Sequence, residues 1–282
     1  MHKSRKVTTV EDISSNDESK DTKAVSKAPR PPSPEPEVPL WQQFYEIEKE
    51  LNEKLRHYRA PIEDITHIYN PVEYAADLHC EYLRKYLDRP KRVVFLAVHP
   101  EQNGMAQTGV PFGNVSTVRD MMKLCGEVKQ PNRLHPKHPV LGLNCHINEP
   151  SGVRFWGLMD KIAGSLDTFS EQCFVHTFCP LLFFNEYGRT IEPCVLPFEI
   201  KYPMRDLLVE ALCKEMKLVQ PEIIVVTGNY VYNGLQRSEL YAKTLLVMTN
   251  PHPWVPNNHN WVRRSERWLY QYDIVKYLQN MI

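Results

Sequence analysis

The sequence predicts an α/β domain of three layers, α/β/α, around a central four-stranded parallel sheet. Two observations carry that expectation. Four short apolar runs, Val93–Val98, Cys173–His176, Ile223–Val226 and Leu245–Met248, are continuous rather than alternating, as strands buried on both faces are. Helical patterns lie between and after them, over Val115–Leu124, Gly152–Ala163, Met204–Leu218, Tyr230–Ala242 and Trp261–Leu278. Strands that alternate with helices make a doubly wound sheet.

The elements follow in order. Residues 1–40 read as a disordered tail rich in Ser, Pro and charge, with an extended Pro-rich stretch at Pro29–Pro39. Within it Lys3-Ser-Arg-Lys6 reads as a solvated charged segment or part of a nuclear signal. The folded domain is expected over residues 41–282. Phe44, Ile47, Leu51 and Leu55 stand at helical spacing, and Pro61 ends that element. A second helix is expected with Asn70 as cap and Pro71 in its first turn, carrying Val72, Ala75, Leu78, Leu83 and Leu87.

Composition sets limits. The 282 residues are 42% hydrophobic, enough for a real core, and 34 basic residues balance 34 acidic ones. Bulk charge therefore does not point to nucleic acid, and DNA binding must rest on local surface. No run of about 18 apolar residues is present, so no membrane span is expected. Met1–Asp21 lacks the apolar core of a signal peptide, which makes an intracellular location the default. The cysteines, Cys80, Cys125, Cys145, Cys173, Cys179, Cys194 and Cys213, are odd in number and form no CxxC pair. Reduced, mostly buried thiols are expected, with no metal, iron–sulfur cluster or other cofactor.

In a doubly wound sheet the ligand crevice lies at the carboxyl ends of the strands. That places His99-Pro100, Thr177 and Asn250-Pro251 at one edge. The loop His99–Gly113 contains Gly104, Gly109 and Gly113, yet it matches neither a Walker loop nor a dinucleotide fingerprint. Phe112 within it reads either as a stacking platform for a planar ring or as a core residue beneath a tight loop.

Several blocks in one order resemble the single-strand-selective monofunctional uracil-DNA glycosylases. They are Ile68–Ala75, Gly104–Gly113, Val118–Asp120, His138–Leu143, Ser151–Gly157, Cys173–His176 and Cys179–Phe183. The resemblance runs from about Trp41 to the C-terminus and is weak over Ile191–Leu245. It implies removal of uracil or oxidised pyrimidines, such as 5-hydroxymethyluracil, from DNA after the base is flipped into a pocket. It also implies a water-positioning Asn, a His that stabilises charge on the uracil O2, an Asn that reads the uracil edge, and a stacking Phe.

By this resemblance three of those four positions are altered. The first Asn is His99, the charge-stabilising His is Asn250, and the reading Asn is Thr177; the stacking Phe is retained as Phe112. His99 and Asn250 keep an imidazole and an amide but exchange them. A neutral imidazole at His99 orients or deprotonates water, while the amide of Asn250 donates a weaker hydrogen bond to O2. A two-residue slip of the loop would instead put His252 in the family's His position. Met105, Phe112 and Thr177 are the base-pocket candidates. Trp254 is a wedge candidate, and Arg263 and Arg264 are phosphate-contact candidates, with an anchored surface Trp and a solvated helix face as the plainer alternatives. No Lys stands in the crevice loops, so a monofunctional enzyme is expected. The chain reads as a nuclear, monomeric DNA glycosylase, attenuated or altered in specificity, or as an inactive DNA-binding protein on the same fold. A third reading uses the Pro-rich tail as a ligand for SH3-like partners.

Overall fold

The structure, a computed structural model, describes residues 38–59, 64–252 and 258–282. The readings placed on residues 1–37, Pro61 and Trp254 lie outside the described residues.

Helix α1 (Leu40–Leu55) buries Phe44, Leu51 and Leu55. Strand β1 (His67–Tyr69) precedes α2 (Pro71–Tyr74) and α3 (Ala76–Tyr86), which divide the single helix expected after Asn70. The Tyr74 carbonyl accepts from the Lys129 amide at 2.8 Å, and the helical ladder breaks there. Asn70 holds the cap position without a cap bond; its Nδ2 donates to Asn52 Oδ1 at 2.8 Å instead.

Strand β2 (Val93–Ala97) leads to the short helix α4 (Met105–Thr108). A π turn at Thr117–Met121 replaces the helix expected over Val115–Leu124. Helices α5 (Pro150–Ala163) and α6 (Leu166–Gln172) precede β3 (Cys173–Thr177), and the small strands β4 (Leu182–Phe184) and β5 (Thr190–Ile191) follow. The chain continues through α7 (Phe198–Val219), β6 (Ile223–Thr227), α8 (Asn229–Leu235) and β7 (Thr244–Met248). Helices α9 (Trp261–Gln271) and α10 (Val275–Leu278) split the expected final helix near Asp273, whose φ is 56°.

The four predicted apolar runs form one parallel sheet in the order β3-β2-β6-β7. Every residue of β2 and β3 is buried, as continuous apolar strands require. Helix α1 packs with α3 and α7, and α5 packs with α6, α9 and α10, so the sheet lies between two helical layers. A second, antiparallel sheet of order β1-β4-β5 has strands of three residues or fewer, too short for periodicity to reveal. All seven thiols are free, and only Cys145, Cys173 and Cys179 are buried, fewer than expected. Among the described residues no helix is long and apolar enough to cross a membrane.

Candidate active site

The sheet order places the predicted residues. Strand β2 connects onward to β3 on one side, while β6 connects to β7 on the other, so a crevice opens at the carboxyl ends of β2 and β6. Ala97 pairs with Thr177 across β2 and β3. His99 follows β2 and Asn250 follows β7, at the same edge.

Both ring nitrogens of His99 face acceptors. Nδ1 donates to the Pro100 carbonyl at 2.9 Å, and Nε2 lies 2.8 Å from Glu192 Oε2. Burial pulls the His99 imidazole down, but the hydrogen bond and charge of Glu192 outweigh it and leave the ring raised above its ordinary value. The same bond holds the Glu192 carboxyl below the usual carboxylate range. A carbonyl and an ionised carboxylate both require N–H donors, so this geometry favours the imidazolium. The neutral, water-orienting His99 expected from sequence would have to turn Nε2 away from Glu192.

Other titratable groups surround this pair. Burial, followed by the charge of Glu149, pushes the Glu101 carboxyl up to about 8. Its Oε2 is buried without a hydrogen-bond partner. Glu149 caps α5, accepting from the Ser151 amide at 3.4 Å and the Ser151 hydroxyl at 2.8 Å. Burial holds His252 below the ordinary imidazole value; Glu149 and Glu192 pull it the other way, and His99 and Arg154 add to the lowering. The two imidazoles thus share the influence of Glu192 and come out on opposite sides of the ordinary value. Among the described residues no group of three or more His, Cys, Asp or Glu side chains is arranged to hold a metal ion.

The strand-end loop carrying Asn250 and His252 is fastened from three elements. Arg154 of α5 donates to the Pro251 carbonyl at 3.0 Å. Trp261 Nε1 donates to the Thr249 carbonyl at 2.7 Å. Asn258 Nδ2 donates to the carbonyls of both Asn250 and His252, at 2.8 and 2.7 Å, and its own oxygen accepts from Arg264 at 3.1 Å. Asn250 Oδ1 accepts from the His252 amide at 2.8 Å, so its acceptor is spent on an Asx turn. Arg263 is exposed on the first turn of α9.

Phe112 is buried and stacks on Phe155, with centroids 4.5 Å apart and planes at 24°. Its φ of 51° is a conformation that a bulky residue holds only when its surroundings impose it. Those surroundings are α5. Trp156 Nε1 donates to the Pro111 carbonyl at 3.0 Å, and the Glu149 amide donates to Asn114 Oδ1 at 2.8 Å. A Cβ on Gly152 would stand 2.3 Å from the Phe112 carbonyl oxygen, so only glycine permits this approach.

The space beside Thr177, the residue expected to read the base, is small. Thr177 is buried and donates its hydroxyl to Met105 Sδ at 3.2 Å. The cavity bounded by Thr177, Met105 and Phe178 holds about 10 Å³, room for no more than roughly one water. Behind it runs a buried polar chain. Glu48 Oε2 lies 2.8 Å from His79 Nε2, His79 Nδ1 donates to the Gly109 carbonyl at 2.7 Å, and His176 Nε2 meets Glu215 Oε2 at 3.1 Å.

No protein-family profile matches the chain. Curated relatives do. The chain is 41% identical over 207 residues to a single-strand selective monofunctional uracil DNA glycosylase of Bos taurus, covering 73% of this chain and 75% of that protein. It is 41% identical over 199 residues to the Rattus norvegicus protein of the same description, covering 71% of each. The chain belongs to the single-strand-selective monofunctional uracil-DNA glycosylase family. A crystal structure of wild-type SMUG2 from Pedobacter heparinus superposes with a TM-score of 0.57 at 15% identity, covering 82% of this chain and 98% of that one, which supports the fold.

Within this glycosylase family member, the structure brings His99 and His252 into one electrostatic cluster and sets Thr177 against Met105. Phe112 lies in the core in this state, and Arg264 is engaged with Asn258. Four members of the cluster were not singled out in the sequence: Glu101, Glu149, Arg154 and Glu192. Arg154 and its neighbours stand inside the matched block Ser151–Gly157, which was a usable signal. Glu192 lies in the stretch of weak resemblance, and nothing local marks it.

Proposed function

We propose that this protein is a DNA glycosylase that hydrolyses the N-glycosidic bond of uracil or an oxidised pyrimidine after flipping the base. Water adds to C1′, the bond from C1′ to the base nitrogen breaks, and the electron pair leaves with the base as charge on its ring and O2. In this reading the His99 imidazolium, kept charged by Glu192, stabilises that charge through space, because its two N–H groups are given to Glu192 and the Pro100 carbonyl. His252, held neutral by burial, accepts the water's proton. The roles thus differ from those expected at the sequence level. The observation that carries the proposal is the His99 Nε2–Glu192 Oε2 contact of 2.8 Å at the crevice of a chain 41% identical to a uracil DNA glycosylase, and the opposite shifts of His99 and His252 agree with an acid and a base there. The protein would act as a nuclear monomer without a cofactor.

A panel of single- and double-stranded oligonucleotides, each with one uracil, 5-hydroxymethyluracil or other modified pyrimidine, tests the proposal. Alkali-labile abasic sites are expected, with no borohydride-trapped adduct. Intact substrate across the whole panel overturns it. The closed Thr177–Met105 contact favours the second reading, a DNA-binding protein without excision, and that same result combined with retained DNA affinity would establish it.

A further inference from the structure

The first two turns of α7 lie at the carboxyl edge of the sheet, because the helix runs back antiparallel to the strands before entering β6. There Phe198 and Tyr202 stand one turn apart with their rings nearly parallel, 7° between planes and 5.5 Å between centroids. Both are exposed, Phe198 by 64% and Tyr202 by 42%. Lys201 Nζ lies 4.8 Å from the Phe198 centroid and 5.5 Å from that of Tyr202, and the Arg205 guanidinium lies 4.8 Å from Tyr202. Val195, three residues before Phe198, is also exposed, by 68%.

This ledge adjoins the candidate active site. Lys201 Nζ donates to the Cys194 carbonyl at 3.1 Å, and Cys194 follows Glu192, the residue bonded to His99, by two positions. The ledge falls in the stretch where the sequence resembles the glycosylase family least, so the resemblance does not account for it. Large exposed rings ordered by neighbouring cations have no packing role of their own. Planar faces next to ammonium and guanidinium groups match the two parts of a nucleotide, a base that stacks and a phosphate that pairs. Arg205 is also paired with Asp206 at 3.1 Å, and that exposed pair is weak enough for a phosphate to displace.

We infer that Phe198 and Tyr202, with Lys201 and Arg205, form a stacking ledge for a single-stranded segment of the DNA substrate next to the flipped nucleotide. This rests on the glycosylase reading above. A paired duplex keeps its base faces buried in the stack, so the ledge discriminates in favour of unpaired strands.

The test is fluorescence anisotropy with single-stranded and duplex oligonucleotides, using the full chain and the paired substitutions F198A/Y202A, F198L/Y202L and F198W/Y202W. Loss of stacking is expected to weaken single-strand affinity about tenfold for each ring removed. The leucine pair should lose as much as the alanine pair, the tryptophan pair should match or exceed wild type, and duplex affinity should move far less. The positions are exposed, so thermal midpoints should be unchanged. Unchanged single-strand affinity in the alanine pair overturns the ledge alone, provided that the wild type binds DNA. Full retention by the leucine pair also overturns it and makes the strip an apolar protein contact. A wild type that binds no DNA of either form overturns the glycosylase reading together with the ledge.

Discussion

His99 Nε2 lies 2.8 Å from Glu192 Oε2, a contact between residues 93 positions apart. Glu192 therefore sets the charge of a residue that the sequence places at the centre of the crevice. The consequence is a defined dependence of activity on pH, on its neighbours and on the loop that carries it.

Excision should show a bell-shaped pH profile. The acidic limb reports protonation of His252 and lies below the ordinary imidazole value of about 6.5. The alkaline limb reports loss of the His99 proton and lies above it. Glu192→Gln should move the alkaline limb down, because the carboxylate that raises His99 is gone. Single-turnover excision across pH measures both limbs. An alkaline limb that stays in place in Glu192→Gln contradicts the assignment.

Glu101 should make stability fall as pH rises. Its folded value is raised to about 8, so the contribution of its proton is fully present below the ordinary carboxylate range. It is lost as pH rises through about 8. Glu101→Gln should raise the thermal midpoint most at and above that pH and least near pH 4. Parallel melting curves across pH would refute a buried, raised carboxyl.

The buried chain behind Thr177 should be costly to break. Replacing His79 with Ala leaves Glu48 and the Gly109 carbonyl without the ring that joins them. A loss of ~3 kcal/mol or more is expected, as for other buried pairs deprived of one partner. Urea denaturation gives the value, and a change below ~1 kcal/mol would count against the network.

Thr177→Asn should restore some discrimination for uracil, since an amide offers two matched hydrogen bonds where a hydroxyl offers one. It must also displace Met105, because the space beside Thr177 is about 10 Å³. A stability loss of ~1–3 kcal/mol is expected from overpacking. Competition between uracil and thymine substrates, read beside a melting curve, separates the two effects.

Much of this architecture was legible because it is repetitive. Val93–Val98 and its three counterparts are uniformly apolar, and each became a strand of the parallel sheet. The crevice edge follows from the strand topology alone. The antiparallel sheet was not legible, since β5 is two residues long. Charge states were the least legible of all. Nothing in the local sequence of His99 indicates a carboxylate 93 residues away, and without it a neutral ring was the natural expectation. Glu48 and His79 stand on mostly apolar helix faces, a pattern that marks a buried polar pair.

Gly152 beneath Phe112 has a mechanical consequence. With Trp156 holding the Pro111 carbonyl and Glu149 holding Asn114, the first turns of α5 and the Phe112 loop are bolted at three points. A displacement of one would have to break these contacts or carry the other along. Val153, on the exposed side of the same turn, is 47% accessible. A spectroscopic reporter attached at Val153 would therefore register any displacement of Phe112 from outside, without touching the crevice.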